Sequence, residues 1–380
     1  MGPSHRTVAF VLLLLAAPGA QAADLIVTRH DDPPPDGCAP GDCSLREAVI
    51  AANATTDLDV IHLFAGTYGL TTPNPGGVDD DASLTGDLDL AGPVALVGPG
   101  ATMTTIDGNG IDRVIEVLLR GGTTVDLAGI SFRGGEAVAA AGILARSGVH
   151  MDHCELRDNG LDSGSATIAV TTTGELFLER STIADNGGIG VQVLQGEALL
   201  ENVTISGNLG SELRVSDDGE LTCRHCTVAD AVHPSPQLAA FDGGLLDLAN
   251  SIVAGSVNAS CSTDEDSFID SLGGNLEAPG TSCHLDEADD EDGVPPSQLL
   301  LGRLQHNGGP TRTHLPGAAS HAIDTARDAT CAATDQRGAD RPDTLCDRGA
   351  VERGATAPPT PLFLDGFEEG YLGAWAGSSP

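Results

Sequence analysis

Aliphatic residues recur along this chain at two scales. Within short runs they alternate with polar ones: VDLAGISFRGG (125–135), VHMDHCELRDNG (149–160), LFLERSTIADNG (176–187), ALLENVTISGNL (198–209), LTCRHCTVADAV (221–232) and LLDLANSIVAGS (245–256). Alternation with period two is the mark of a strand with one face buried. Between runs, one column returns as Ile130, Cys154, Ser181, Val203, Cys226 and Ser251, in steps of 22 to 27 residues. The next inward column reads Phe132, Leu156, Ile183, Ile205, Val228 and Val253, and most runs are followed by a further strand such as GILARSG or TIAVTTTG. A period of this length, with two or three short strands and no helix, predicts an all-β fold: a right-handed parallel β-helix. Its successive coils would pair ~4.8 Å apart. A leucine-rich repeat has a similar period but needs a helical segment that these repeats lack. Alternation assigns Leu176 and Leu178 to the interior and Phe177 and Glu179 to the outside. Asn159, Asn186 and Asn208 form a turn column, predicted to adopt the left-handed conformation and to bond along the stack as a structural ladder.

A stack of coils has open ends, and unpaired strand edges invite aggregation. The stretch CSLREAVIAAN (43–53) precedes the first strand region and predicts a cover. Ser44 followed by Glu47 is a capping box, and Leu45, Ala48, Val49 and Ala52 make one apolar face at helical spacing. Asn53 is the expected stop, and Arg46 is read as an exposed residue of this capping helix.

The first 22 residues have the form of a secretory signal peptide: His5 and Arg6, an apolar run from Val8 to Ala17, then Ala20-Gln21-Ala22. The expectation is export to the extracellular space or outer cell surface, with the periplasm as the alternative. No later stretch reaches the ~18 apolar residues of a membrane helix. The formal charge is −37 and all 18 basic residues are arginine. Such a surface repels nucleic acid and anionic membranes. The absence of lysine excludes Schiff-base chemistry and a P-loop. Aromatic residues make up only 3% of the chain, which disfavours stacking of sugar rings.

CSLREAVIAAN resembles the signature of the CSLREA-domain family of bacterial secreted proteins, and DVIHLFAGTYGL (59–70), TGDLDLAGPVALVGPG and TTIDGNGIDRVIEV resemble the rest of that domain. SLGGNLEAPGTSC (271–283), LGRLQHNGGPTRTHLPGAASHAID (301–324) and TDQRGADRPDTLCDRGAVE (334–352) are similar to a second module, the choice-of-anchor Q region. The resemblances imply a pectin-lyase-like right-handed β-helix, exported or on the surface, with no established catalytic activity. AIDT and RGAVERG depart from the usual pattern of the second module, so the detail of the C-terminal cap is not carried over.

Candidate chemistry is sparse. Asp87 and Asp89 alternate with Leu88 and Leu90 and are the calcium candidates, with solvated surface carboxylates as the competing reading. No other cofactor is expected. Asp158 and Asp185 share a column, as polygalacturonase-like hydrolysis would need, but the column is a turn, where aspartate is common for local reasons. DEADDEDG (286–293) fails the EF-hand pattern at Ala288 and Leu299 and reads as a solvated loop. HMDHC (150–154) and CRHC (223–226) resemble metal ligands, yet Cys154 and Cys226 lie three coils apart, about 14 Å, too far for one zinc. Cys223 is placed inward as a small hydrophobe. The local step between Cys38 and Cys43 predicts a disulfide, as do Cys261 with Cys283 and Cys331 with Cys346. The pairing of Cys154, Cys223 and Cys226 stays open; nine cysteines leave at least one thiol over within a monomer.

The expected organisation is a signal peptide (1–22), an N-terminal cap (23–58), the β-helix (59–270), a disulfide-stapled C-terminal region (271–353), and a Pro-rich linker with a DGFE…W tail (354–380). The tail reads equally as a sorting or docking element and as a loose end. The expected function is a non-catalytic adhesive or matrix role, as a monomer, with an unidentified surface glycan or protein as partner. The alternative is a polysaccharide lyase or glycoside hydrolase.

Overall fold

The computed structural model describes residues 22–75, 80–118, 124–232, 235–255, 259–342 and 345–358. The predicted signal peptide, save its last residue, and the DGFE…W tail lie outside the described residues. The chain winds as a right-handed parallel β-helix whose strands form three sheets. The first sheet has ten strands, from Asp24–Ile26 to Phe268–Ser271; the second has eight, from Leu88–Leu90 to Cys261–Thr263; the third has nine, from Gly66–Gly69 to Leu276–Ala278. Within a coil the chain visits the first, then the third, then the second sheet. Every strand pair is parallel, as a solenoid requires.

The repeat columns stack in register. Phe132, Leu156, Ile183, Ile205, Val228 and Val253 are successive partners across the third sheet, and all are fully buried. Leu176 and Leu178 point inward, while Phe177 and Glu179 lie half-buried on the outer face of the first sheet. Each buried aliphatic side chain contributes about 1.5–3 kcal/mol, and the columns repeat that contribution coil after coil.

The asparagine ladder is present, with one correction to its conformation. Asn159 Nδ2 donates to Asn186 Oδ1 at 3.1 Å, and Asn186 Nδ2 to Asn208 Oδ1 at 2.8 Å. The left-handed residues are their predecessors, Asp158 (φ 56°), Asp185 (φ 60°) and Gly207 (φ 71°). The aspartate or glycine makes the sharp bend, and the asparagine that follows turns its amide into the stack. A second left-handed column holds His153, Arg180, Asn202, His225 and Asn250, so these histidines are corner residues.

The capping helix spans Leu45–Asn53, with both bonds of the box formed between Ser44 and Glu47. The Glu47 carboxylate also accepts from the Asp36 amide at 3.0 Å. These bonds to its carboxylate hold its pKa below the ordinary value against the opposing effect of burial. Asn53 pins the helix to the second sheet, donating to Asp89 O at 2.6 Å and accepting from Ala91 N at 2.8 Å. Arg46 corrects the sequence reading. It is buried, and its guanidinium bonds Asp32 and the carbonyls of Ser83, Gly86 and Asp87. Periodicity marks the face turned to the first coil; a segment from residues 83–87 packs against the other face.

The C-terminal region closes the third sheet and then folds back along it. Val294, Leu299 and Ala322 pack on Ile252, Ala254, Leu276 and Ala278. Further back, Gln336 donates to Thr182 and accepts from Thr204, His314 bonds Ser206, and Thr227 accepts from the Ala350 amide. The run 286–293, expected to be a solvated loop, holds this strap instead. Asp289 and Glu287 bind Arg327, and Glu291 binds Arg348 and His321.

Four disulfides are formed: Cys38–Cys43, Cys261–Cys283, Cys331–Cys346 and Cys223–Cys226. The last resolves the pairing left open among Cys154, Cys223 and Cys226, and Cys223 is buried at its inward position. The left-handed bend at His225 brings the two Cα atoms to 5.9 Å, within bridging range. Cys154 is the free cysteine, fully buried. Disulfides of this number belong to oxidising compartments. No helix among the described residues is long and apolar enough to cross a membrane.

Candidate functional site

Asp87 and Asp89 do not face solvent. Asp89 lies beside Glu116 in the second sheet, and the carboxylates of Asp87, Asp89 and Glu116 approach within 4.8 Å of one another with no exposure. Three buried carboxylates in that space repel strongly unless compensated. Here the compensation is arginine. Arg113 Nε lies 2.5 Å from Asp87, Arg113 Nη2 3.0 Å from Glu116, and Arg146 Nη2 2.9 Å from the other oxygen of Glu116. Ser83 closes the cluster, its amide donating to Asp89 at 2.8 Å. The reading as solvated surface carboxylates therefore fails. Sequence alternation could not reveal this, because the compensating groups arrive from neighbouring coils and from the loop before the strand.

Through Ser83 and Asp87 the cluster continues into Arg46 and Asp32, so one buried polar network joins the capping helix to the second sheet. The donor set is oxygen-rich, as calcium prefers. A cation would, however, have to compete with two guanidinium groups already seated on Asp87 and Glu116. The arrangement fits an arginine-bridged joint better than an ion cage. Two other groups of ligand-type residues are likewise engaged. Cys331 and Cys346, beside His225, are bonded to each other; Glu352 pairs with Arg341, and the Asp347 carboxylate accepts from the amides of Asp324 and Arg353.

Two side faces of the coils carry accessible side chains. The outer face of the first sheet carries His150, Phe177, Leu199 and Thr222 in one column, flanked by Glu175, Glu197 and Glu220. A shallow cavity of about 330 Å³ lies over this stretch. His150 stacks on Phe177 at 5.0 Å and bonds Asp126 and Glu179, each at 3.1 Å, and these carboxylates raise its pKa to about 9. The residues of HMDHC thus serve local ion pairs: His153 bonds Asp152, which also holds Arg180. On the uncovered part of the third sheet, Arg133 pairs with Asp107, and Arg312 of the strap joins Glu155 at 2.7 Å to Asp185 at 2.8 Å. Asp158 is spent on Arg157. The two turn aspartates of the sequence reading thus face separate arginines.

Residues 103–268 match the family model described as the right handed beta helix region. No curated protein matches the chain in sequence. Among solved structures, the chain is similar to pectate lyase Pel9A, with 14% identity over 89% of this chain and 98% of that one and a TM-score of 0.36. It is also similar to the A-module of the mannuronan C-5 epimerase AlgE4 of Azotobacter vinelandii, with 14% identity over 67% and 92% of the two chains and a TM-score of 0.32. Likeness at this level carries no information about activity.

Proposed function

We propose that this chain is an exported, non-catalytic β-helix protein that works by contact, at a cell surface or in an extracellular matrix. The observation that carries the reading is the state of the Asp87–Asp89–Glu116 cluster. Of the carboxylate groups among the described residues with the density of a catalytic or calcium site it is the fully buried one, and Arg113 and Arg146 hold Asp87 and Glu116. Carboxylates so engaged hold a joint together and do not meet a polymer. The resemblance of CSLREAVIAAN and of the 271–352 segments to surface-protein modules supports the same reading, as does the signal-like N-terminus. The partner is a surface glycan or protein, and calcium has no required part.

The test is a glycan and matrix-protein binding screen of the purified mature chain, run beside a sugar-release assay on uronate polysaccharides. Saturable binding without release is expected. Release of unsaturated or reducing sugar ends would overturn the reading.

A polysaccharide lyase or hydrolase is the alternative, and one observation favours it. Glu155, Asp185 and Arg312 converge at the partly open edge of the strap, with Arg133 and Asp107 alongside. If that site cleaves a sugar polymer, Arg312→Ala and Glu155→Gln each abolish release while leaving the fold intact.

A further inference from the structure

The far end of the stack stops unevenly. The third sheet is closed there: Glu277 N donates to Glu291 O at 2.9 Å and Val294 N to Glu277 O at 3.1 Å. The other two sheets end at Phe268–Ser271 and Cys261–Thr263, and no strand among the described residues pairs with their outer edges. Phe268 N donates back to Gly244 O, and Leu272 N to Leu248 O. Alternation along a parallel strand therefore aims the amide and carbonyl of Ile269 outward, toward the place a further strand would take. Between the two edges and the segment 282–286 lies an open cavity of about 660 Å³, lined by Ile269, Phe268, Asp270, Asp286 and the Cys261–Cys283 bridge. Phe268 is 57% exposed at its rim.

We infer that this end of the β-helix is a docking site for an extended, basic segment of another protein, which adds as a strand to Phe268–Ser271. Two features select that occupant. The free strand edge supplies main-chain partners, the basis of recognition by strand addition, and the cavity beside it receives alternate side chains. The surroundings supply the sign of charge. Asp264, Glu265, Asp266, Asp270 and Asp286 are all exposed around the edge; the basic groups beside them are His284 and Arg327, and Arg327, which bonds Leu272 O, is already paired with Glu287 and Asp289. A second copy of this chain is the wrong occupant on the same ground. It carries a formal charge of −37 and presents Asp24 at the opposite end of the first sheet. Like charges brought together cost several kcal/mol. The inference stands apart from whether the chain cleaves sugars, because its readout is peptide binding.

The experiment is a titration of the purified chain with three synthetic peptides: alternating valine and arginine, alternating valine and glutamate, and the valine–arginine peptide methylated on every second backbone nitrogen. The first is expected to bind, and the second to bind at least about tenfold more weakly, the scale of a like-charge penalty. The methylated peptide should lose binding, because it cannot complete the strand bonds. The double variant Asp270→Arg, Asp286→Arg, both exposed positions, should reverse the preference between the first two peptides. Equal binding of the methylated peptide would reduce the site to unspecific charge adsorption and overturn the proposal. Concentration-dependent self-association abolished by the same double variant would also overturn it, by making the occupant a second copy.

Discussion

Arg46 and Asp32 form a two-point ion pair, Nε to Oδ1 at 2.7 Å and Nη2 to Oδ2 at 3.0 Å, with both side chains buried. The remaining guanidinium hydrogens reach the carbonyls of Ser83, Gly86 and Asp87. All five donors of the side chain are thus used, which is the condition for a buried charge to be tolerated. Arg46→Ala strands Asp32 and three carbonyls, and should cost roughly 3–5 kcal/mol, the range for breaking one side of a buried pair. Arg46→Lys should recover little, since an ammonium cannot span the same fork. Urea unfolding monitored by circular dichroism measures both.

Glu212 ends the asparagine ladder, accepting from the Asn208 amide at 3.2 Å and from its side chain. Burial raises its pKa to about 8, against the opposing bonds from Asn208. The folded chain therefore holds a proton that the unfolded chain releases near the ordinary value of 4.5. Stability that depends on this group is present below pH 4.5 and is lost progressively as pH rises toward 8. Glu212→Gln, which removes the charge and keeps one of the two oxygens that accept from Asn208, should flatten that part of the profile. The comparison is the urea midpoint of both proteins from pH 5 upward.

Cys154 should be inert. Its thiol is fully buried, lies 3.3 Å from Leu127 O, and has a pKa pushed up to about 12 by burial. A thiol reagent is expected to label one cysteine per chain in denaturant and none without it. Labelling of the native chain would show that the coil at 149–156 opens.

Gln336 ties the strap to the third sheet, donating to Thr182 and Thr311, each at 2.9 Å, and accepting from Thr204 at 2.6 Å. Gln336→Ala leaves the buried Thr204 hydroxyl unpaired and should cost about 1–3 kcal/mol. The strap, not the coils, should become the first site of cleavage in limited proteolysis.

Arg113 and Arg146 already occupy Asp87 and Glu116, so chelator should leave the melting temperature unchanged. Arg113→Met should lower it, and calcium should then restore part of the loss by occupying the vacated charge.

The aliphatic columns, the coil period and the capping box could be read from the chain because each rests on contacts between residues of fixed spacing. The burial of Arg46 could not. Helical periodicity shows which face of 45–53 is apolar, but nothing in it tells that Asp32 and the 83–87 backbone cover the opposite side. Asp87 and Asp89 were illegible for the same reason, since their partners sit in separate coils. The Cys223–Cys226 bridge depends on a left-handed corner at His225, and residue spacing alone does not show that the corner brings the two thiols together. The candidate site is thus the part of the molecule that sequence spacing describes least well.

The strap also divides the chain in time. Each coil finds its partner 22 to 27 residues earlier, so coils can form in succession as the chain emerges. Gln336 must find Thr182, 154 residues before it, after the coils between them are in place. Contacts of such separation form late. The strap is therefore a clasp added to a finished rod, and until it closes, the hydroxyl-lined flank of the third sheet faces whatever surrounds the nascent chain.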